Sequence, residues 1–75
     1  MSTIAEYTAR IINIGHIIFP DTIDKASSFS ISYNKDSSRW MMTWKYDSMN
    51  YGIVGRFNDN NEFEIIQKRR NHSSI

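Results

Sequence analysis

Residues 29–65 decide the fold of this chain, and they read FSISYNKDSSRWMMTWKYDSMNYGIVGRFNDNNEFEI. A β-strand directs successive side chains to opposite faces, so a slip of one residue at any turn would move a strand's apolar set into water. Apolar residues of a single parity recur here in four runs: Phe29, Ile31, Tyr33, Trp40, Met42, Trp44, Tyr46, Tyr51, Ile53, Phe57, Phe63 and Ile65. The pattern predicts a sheet with one aromatic face.

Four strands joined by short turns follow from this pattern. We expect strands over about residues 28–34, 39–46, 51–57 and 63–69, separated by segments rich in Asp, Asn and Ser. None of these segments is long enough for a crossover, so neighbouring strands should pair antiparallel as a meander. The expected register pairs opposite charges and apolar side chains: Phe57 with Phe63, Arg56 with Glu64, Val54 with Ile66, Tyr46 with Tyr51, Trp44 with Ile53 and Trp40 with Phe57.

A helix should precede the sheet. Thr3 and Glu6 have the spacing of a capping box, in which both side chains satisfy free backbone amides at a helix start. Pro20 disfavours helical geometry at the residue before it, so we expect a helix over about residues 3–18 and a connection over 19–27. A strand over residues 12–18, rich in β-branched side chains, is the alternative. The helix stripe recurs at steps of three and four: Ile4, Tyr7, Ile11, Ile14 and Ile18.

The predicted fold class is therefore α+β, with an N-terminal helix packed on one face of a four-stranded antiparallel β-meander. Seventy-five residues suffice for one small domain, and the formal net charge is only +1. The absence of Cys fits a reducing compartment, so we expect a cytoplasmic protein, in the host cytoplasm if the chain is viral. Twelve Ile without any Leu is typical of AT-rich genomes, from which small viral accessory proteins often come. The N-terminal apolar run is short and interrupted, so we expect neither a signal peptide nor a membrane partner.

Side chains suited to catalysis or metal binding are few. Asp36, Asp47 and Asp59 each fall in a predicted turn, where aspartate commonly bonds the local backbone. His16 and His72 are the only imidazoles, and neither has a potential ligand at a recognisable spacing. We therefore expect no catalytic residue, no metal and no cofactor, and hence not an enzyme. A composite active site at a dimer interface is the remaining enzymatic alternative.

The aromatic face is wider than one helix. A helix is about 10 to 12 Å across, whereas a four-stranded face measures roughly 15 to 20 Å. Phe19 and Ile23 of the connection, a second copy of the chain or a foreign protein could cover the remainder. Candidate anchors for a homodimer or a partner are Trp and Tyr, which dominate interface hot spots: Trp40, Trp44, Tyr46 and Tyr51.

The opposite face is predicted to carry a small apolar centre with a basic rim. Its candidate partner-binding residues are Arg39, Met41, Lys45, Val54, Arg56, Ile66 and Lys68. Such a face suits an acidic protein groove or a phosphate backbone. Acidic residues end at Glu64, after which a basic tail over residues 68–75 offers three candidate phosphate contacts: Lys68, Arg69 and Arg70.

Two functions are consistent with these surfaces. Single-strand binders stack bases on aromatics set among basic residues, but here the aromatic and basic residues are expected on different faces. The sequence therefore favours a non-enzymatic binding protein, a viral- or phage-type accessory factor or inhibitor that docks on a host protein through a sheet face. A nucleic-acid-binding module that uses the basic face and the basic tail is the alternative.

Overall fold

The computed structural model describes residues 3–72, which form one helix packed with one four-stranded antiparallel sheet. Each strand pairs with its neighbour along the chain, in the order β1-β2-β3-β4. The predicted α+β class and the meander topology are confirmed. The elements are α1 (Ile4–Ile18), β1 (Ser28–Asn34), β2 (Arg39–Tyr46), β3 (Met49–Phe57) and β4 (Phe63–His72).

Local signals set both ends of the helix. The Thr3 hydroxyl accepts a hydrogen bond from the Glu6 backbone N–H at 3.2 Å, which is the Thr3 half of the predicted capping box. At the other end the Phe19 N–H donates to the Gly15 carbonyl at 2.9 Å, immediately before Pro20. The alternative strand over residues 12–18 is therefore wrong.

The turn between β2 and β3 is tighter than predicted, which shifts the register of this pair by two residues. Asp47 and Ser48 alone form the turn, with φ of 52° and 64°. Positive φ at both positions is typical of a type I′ turn, whose twist matches that of the flanking strands. The pairs Tyr46–Tyr51, Trp44–Ile53 and Trp40–Phe57 were therefore wrong. The observed partners are Met49 for Tyr46, Tyr51 for Trp44, Ile53 for Met42 and Gly55 for Trp40.

A bulge interrupts the pairing of β3 with β4. Phe57 lies opposite Phe63 and Arg56 opposite Glu64, as predicted, but the register then shifts between Val54 and Gly55. Val54 consequently lies opposite Gln67, and the predicted Val54–Ile66 pair is wrong. A Cβ atom on Gly55 would meet the Phe63 ring and the Glu64 carbonyl, so the absence of a side chain allows this close approach.

The predicted basic tail is largely part of the sheet. Strand β4 extends to His72, three residues beyond its expected end, so residues 68–72 are strand rather than tail. Residues 73–75 of the predicted tail lie outside the described residues.

The core lies between α1 and the aromatic side of the sheet, which we call the inner face. Its buried apolar residues come from the helix and from both central strands: Ile11, Trp40, Met42, Trp44 and Ile53. Tyr7 packs on Phe57 with a ring-centroid distance of 4.6 Å. Phe19 packs edge-on against Trp44 and Tyr51 at 5.9 and 5.1 Å, so the start of the connection covers aromatic surface as expected. The helix and connection thus cover the centre of the inner face.

Candidate partner-binding face

The outer face is the side of the sheet that points away from α1. Directly opposite residues of an antiparallel pair point to the same side, so the register defines its cross-strand rows. Within residues 3–72 the helix packs on the other side, and most side chains of the outer face are exposed. The rows, from one end of the sheet to the other, are Ser28–Lys45–Asn50–Asn71, Ser30–Thr43–Gly52–Arg69, Ser32–Met41–Val54–Gln67, and Asn34–Arg39 with Arg56–Glu64.

Positive charge predominates in these rows. Among residues 3–72 the strands of the outer face carry Arg39, Lys45, Arg56 and Arg69, against the single carboxylate of Glu64. Arg56 Nε lies 3.6 Å from Glu64 Oε1 in an ion pair that is half exposed on both sides. Such exposed pairs contribute little to stability. Of the remaining three cations, Lys45 and Arg69 lie in other rows and Arg39 lies in the same row as this pair, and all three can meet an acidic partner.

The apolar centre of the outer face is smaller than predicted. Met41 lies opposite Val54, and its side chain is 48% exposed although it sits in a central strand. Ile66, expected beside them, occupies the bulge position and has no residue opposite it on β3. The paired apolar residues at the centre of this face are therefore Met41 and Val54, of which Met41 is the more exposed.

The predicted placement of Lys68 on the outer face is wrong. The bulge inserts one extra residue into β4, and every later residue of that strand exchanges faces. Lys68 consequently lies opposite the buried Ile53, and Arg70 lies opposite Tyr51, both on the inner face. Arg69 takes the outer position opposite Gly52. The edge strand β4 is therefore cationic on both sides.

A groove with a mixed polar and apolar lining crosses the outer face, and the sequence pattern contained little sign of it. It has a volume of ≈ 400 Å³, and Gly52 opens it because no side chain stands between Thr43 and Arg69. A small residue at an outward position of a central strand is the only signal that could have indicated it. Its outward-facing lining is rich in hydrogen-bonding groups: Ser28, Ser30, Thr43, Asn50, Arg69 and Asn71.

The predicted aromatic anchors lie mainly in the core. Trp40 and Trp44 are buried, and Trp44 is only 2% exposed. Tyr51 is half-buried and stacks on Trp44 with the ring planes 10° apart, while Tyr46 is half-buried opposite Met49. Among the described residues, the most exposed aromatic side chains of the inner face belong to the edge strand β1. These are Phe29, 43% exposed, and Tyr33, 50% exposed.

Two interactions that hold the inner face together join residues whose pairing the sequence did not predict. The Trp44 Nε1–H donates to the Thr22 hydroxyl at 2.9 Å, and this hydroxyl donates to the Phe19 carbonyl at 2.8 Å. Arg10 lies with its guanidinium 4.7 Å from the centre of the Phe57 ring and donates to the Asn61 carbonyl in the β3–β4 loop. Helical periodicity placed Arg10 away from the apolar stripe. Thr22 was expected only to form a local turn or cap hydrogen bond in the connection, so its bond to Trp44 was not predicted.

Comparisons with known proteins leave the function to the geometry: no protein-family model matches this chain, and no curated protein or solved structure matches it significantly. In the part of the chain that the structure describes, no group of three or more His, Asp or Glu side chains is arranged to hold a metal ion. No helix within residues 3–72 has the length and apolar character needed to cross a membrane.

Proposed function

We propose that this chain is a non-enzymatic binding protein that docks on an acidic protein surface through its outer face. The observation that carries the proposal is the arrangement of three cations, Arg39, Lys45 and Arg69, around the exposed Met41 on an open sheet face, with no ion pair to any of the three among the described residues. Protein interfaces commonly combine a small apolar centre with a polar rim, and Met and Arg are enriched in them. An accessory or inhibitory role, of the kind served by small viral proteins, follows if the acidic surface that is covered is needed by the partner.

The groove supplies a specific receptor for an acidic side chain. Arg69 stands on one side of Gly52 and Thr43 on the other, with Asn50 and Asn71 in the next row. A carboxylate that enters here meets a guanidinium, which forms strong charge-assisted hydrogen bonds, together with amide and hydroxyl donors. Asp or Glu of the partner is therefore the side chain that the groove fits best.

The placement of the three turn aspartates favours a binding role over catalysis at those positions. Asp36 lies in the β1–β2 turn and Asp59 in the β3–β4 turn, whereas Asp47 lies in the β2–β3 turn at the opposite end of the sheet. General acid–base catalysis needs a second group close to the reacting atoms, so these turns are poor positions for it.

Affinity capture with charge-matched variants tests the proposal. The double variant Arg39→Glu/Arg69→Glu reverses charge on the outer face, and Lys25→Glu/Lys35→Glu makes the same change of net charge in the connection and the β1–β2 turn. All four side chains are exposed, so neither variant should disturb the core. From a nuclease-treated extract, we expect wild type and the lysine variant to recover the same protein, which the arginine variant loses. Equal recovery by all three proteins would refute docking through the outer face.

Nucleic-acid binding is the second candidate, and the bulge in β4 is the observation that favours it. Because of the bulge, Lys68 and Arg70 lie on the inner face of the edge strand β4 and Arg69 lies on its outer face. A phosphate backbone could therefore follow this edge. Anisotropy titrations with mixed-sequence single-stranded DNA and RNA should then show affinity that falls steeply with salt. Lys68→Glu/Arg70→Glu should weaken binding and flatten the salt dependence, whereas Lys25→Glu/Lys35→Glu should weaken it less. Absence of binding at about 50 mM salt would eliminate this candidate.

A further inference from the structure

We propose that strand β1 pairs antiparallel with β1 of a second copy, centred on Ile31, so that two sheets join into one continuous sheet. This inference is independent of the proposed function. It concerns the edge of the sheet, whereas the proposed docking surface is the outer face.

The free edge of β1 lacks the features that normally prevent pairing. All seven residues pair regularly with β2, without a bulge, and every residue except Ile31 is exposed. Soluble proteins usually protect such edges with charged side chains, proline or a bulge. The segment SFSISYN contains no charged residue and no proline, so β1 is a regular, unprotected template for another strand.

The other edge of the sheet is protected. Strand β4 has a bulge, and three successive cations, Lys68, Arg69 and Arg70, follow it. Two β4 edges would bring these like charges together, which disfavours pairing. Charge and regularity therefore select β1 as the edge that accepts a second copy.

The sequence of β1 is complementary to itself when it is reversed. An antiparallel pair centred on Ile31 places Phe29 opposite the partner's Tyr33, Ser30 opposite the partner's Ser32 and Ser28 opposite the partner's Asn34. Every apolar residue then faces an apolar residue and every polar residue a polar one, over the full length of the strand. Aromatic cross-strand pairs are among the stabilising ones, and a two-fold axis generates this arrangement in a closed dimer.

The backbone geometry agrees with this centre. The two-residue turn closes on the hydrogen-bonded pair Tyr46–Met49, so alternation assigns the peptide groups of Ser28, Ser30 and Ser32 to the ladder with β2. Phe29, Ile31 and Tyr33 consequently direct their N–H and C=O groups to the open edge. These are the residues that the Ile31-centred register would pair.

The surface beside β1 also leaves room for the partner. An apolar groove of ≈ 540 Å³ lies between β1 and the start of α1 and is lined by Tyr7, Ile31, Tyr33, Trp40 and Phe57, among others. The partner's Phe29, opposite Tyr33, would enter the open side of this groove. Half-exposed Phe29 and Tyr33 would thereby lose contact with water, and the burial of this apolar area would stabilise the dimer.

Charge variants at the two serines that face each other across the axis test both the dimer and its register. Ser30→Lys/Ser32→Lys places lysine opposite lysine, whereas Ser30→Lys/Ser32→Glu places lysine opposite glutamate. Both serines are exposed on the outer face, so both variants should keep the fold, which circular dichroism and thermal unfolding would verify. Light scattering after size exclusion, from roughly 1 to 100 μM, covers the range in which a dimer of micromolar affinity assembles.

We expect wild type and Ser30→Lys/Ser32→Glu to approach twice the monomer mass of 8.8 kDa as concentration rises. The double-lysine variant should remain monomeric. A monomeric wild type throughout this range would overturn the proposal, and so would a double-lysine variant that dimerises as wild type does. Loss of the dimer in both variants would overturn the Ile31-centred register.

Discussion

Replacing Thr22 with valine should destabilise the fold by about 1 to 3 kcal/mol, because one hydroxyl links the connection to the core. Thr22 is 7% exposed, and its hydroxyl accepts from the Trp44 indole at 2.9 Å while donating to the Phe19 carbonyl at 2.8 Å. Valine has nearly the same shape but neither function. The substitution therefore leaves the indole N–H of a 2%-exposed tryptophan without its partner.

The magnitude follows from the cost of a buried unsatisfied donor, which is about 1 to 3 kcal/mol. The Phe19 carbonyl also loses a donor, but Phe19 is only half-buried, so we assign most of the cost to the indole. In a domain of this size each kcal/mol corresponds to a change in Tm of about 4 to 8 °C. Urea unfolding followed by tryptophan fluorescence gives the free energy directly, since both tryptophans lie in the core.

Thr22→Ser is the matched control because it retains the hydroxyl and removes only a methyl group. We expect it to preserve most of the stability and to keep the indole proton of Trp44 slow in hydrogen exchange, whereas Thr22→Val should accelerate that exchange. Valine and serine variants of equal stability would refute the reasoning. An indole proton that exchanges at the same rate in wild type and Thr22→Val would do the same.

Three further substitutions test the close approach of Phe63 to Gly55, the β2–β3 turn and the contact of Arg10 with the Phe57 ring. Gly55→Ala should destabilise the fold by about 1 to 3 kcal/mol, because the new Cβ would overlap the Phe63 ring and the Glu64 carbonyl. Gly52→Ala is the control and should change stability little, because the nearest atom to its new Cβ would be 3.6 Å away. Similar urea midpoints for the two variants would contradict this account. Ser48→Gly should stabilise by about 1 kcal/mol, since Ser48 has a φ of 64° that glycine adopts without strain; an unchanged or lower Tm would contradict it. Arg10→Ala should lower the free energy of unfolding by about 1 to 2 kcal/mol, because it removes the contact with the Phe57 ring and the hydrogen bond to the Asn61 carbonyl. Arg10→Lys should retain part of this stability in the same urea assay. An alanine variant as stable as wild type would exclude a structural role for Arg10.

The elements themselves could be predicted from the sequence because their signals are local. The Thr3 cap, Pro20 and the alternation of apolar residues act within a few positions, and they gave the helix and strands β1 and β2 at their observed bounds or within one residue. The outward positions of Arg39, Met41 and Lys45 followed from the same alternation. Strand β3 began two residues earlier than predicted, since Asp47 and Ser48 adopt positive φ values that composition alone does not reveal.

The candidate site was less accessible to sequence reasoning because it depends on contacts between distant segments. Trp40 and Trp44 are indistinguishable from surface anchors until the helix and Phe19 are placed over them. The groove requires Thr43, Gly52 and Arg69 to lie side by side, which depends on the register of two strand pairs. Thr22 acquires its role only through Trp44, a residue 22 positions away.

The sequence by itself determined which residues of β1, β2 and β3 share a face, because side chains alternate with a period of two and short turns preserve that parity. The tertiary structure decided the register, since a shift of two residues leaves parity unchanged and so leaves no trace in the pattern. It also decided the faces of Lys68, Arg69 and Arg70, because the bulge beside Gly55 inserts one residue and reverses the parity of everything after it. The one extra residue that the bulge adds to β4 beside Gly55, where Phe63 packs closely, thus determines how the positive charges of β4 are divided between the two faces of the sheet.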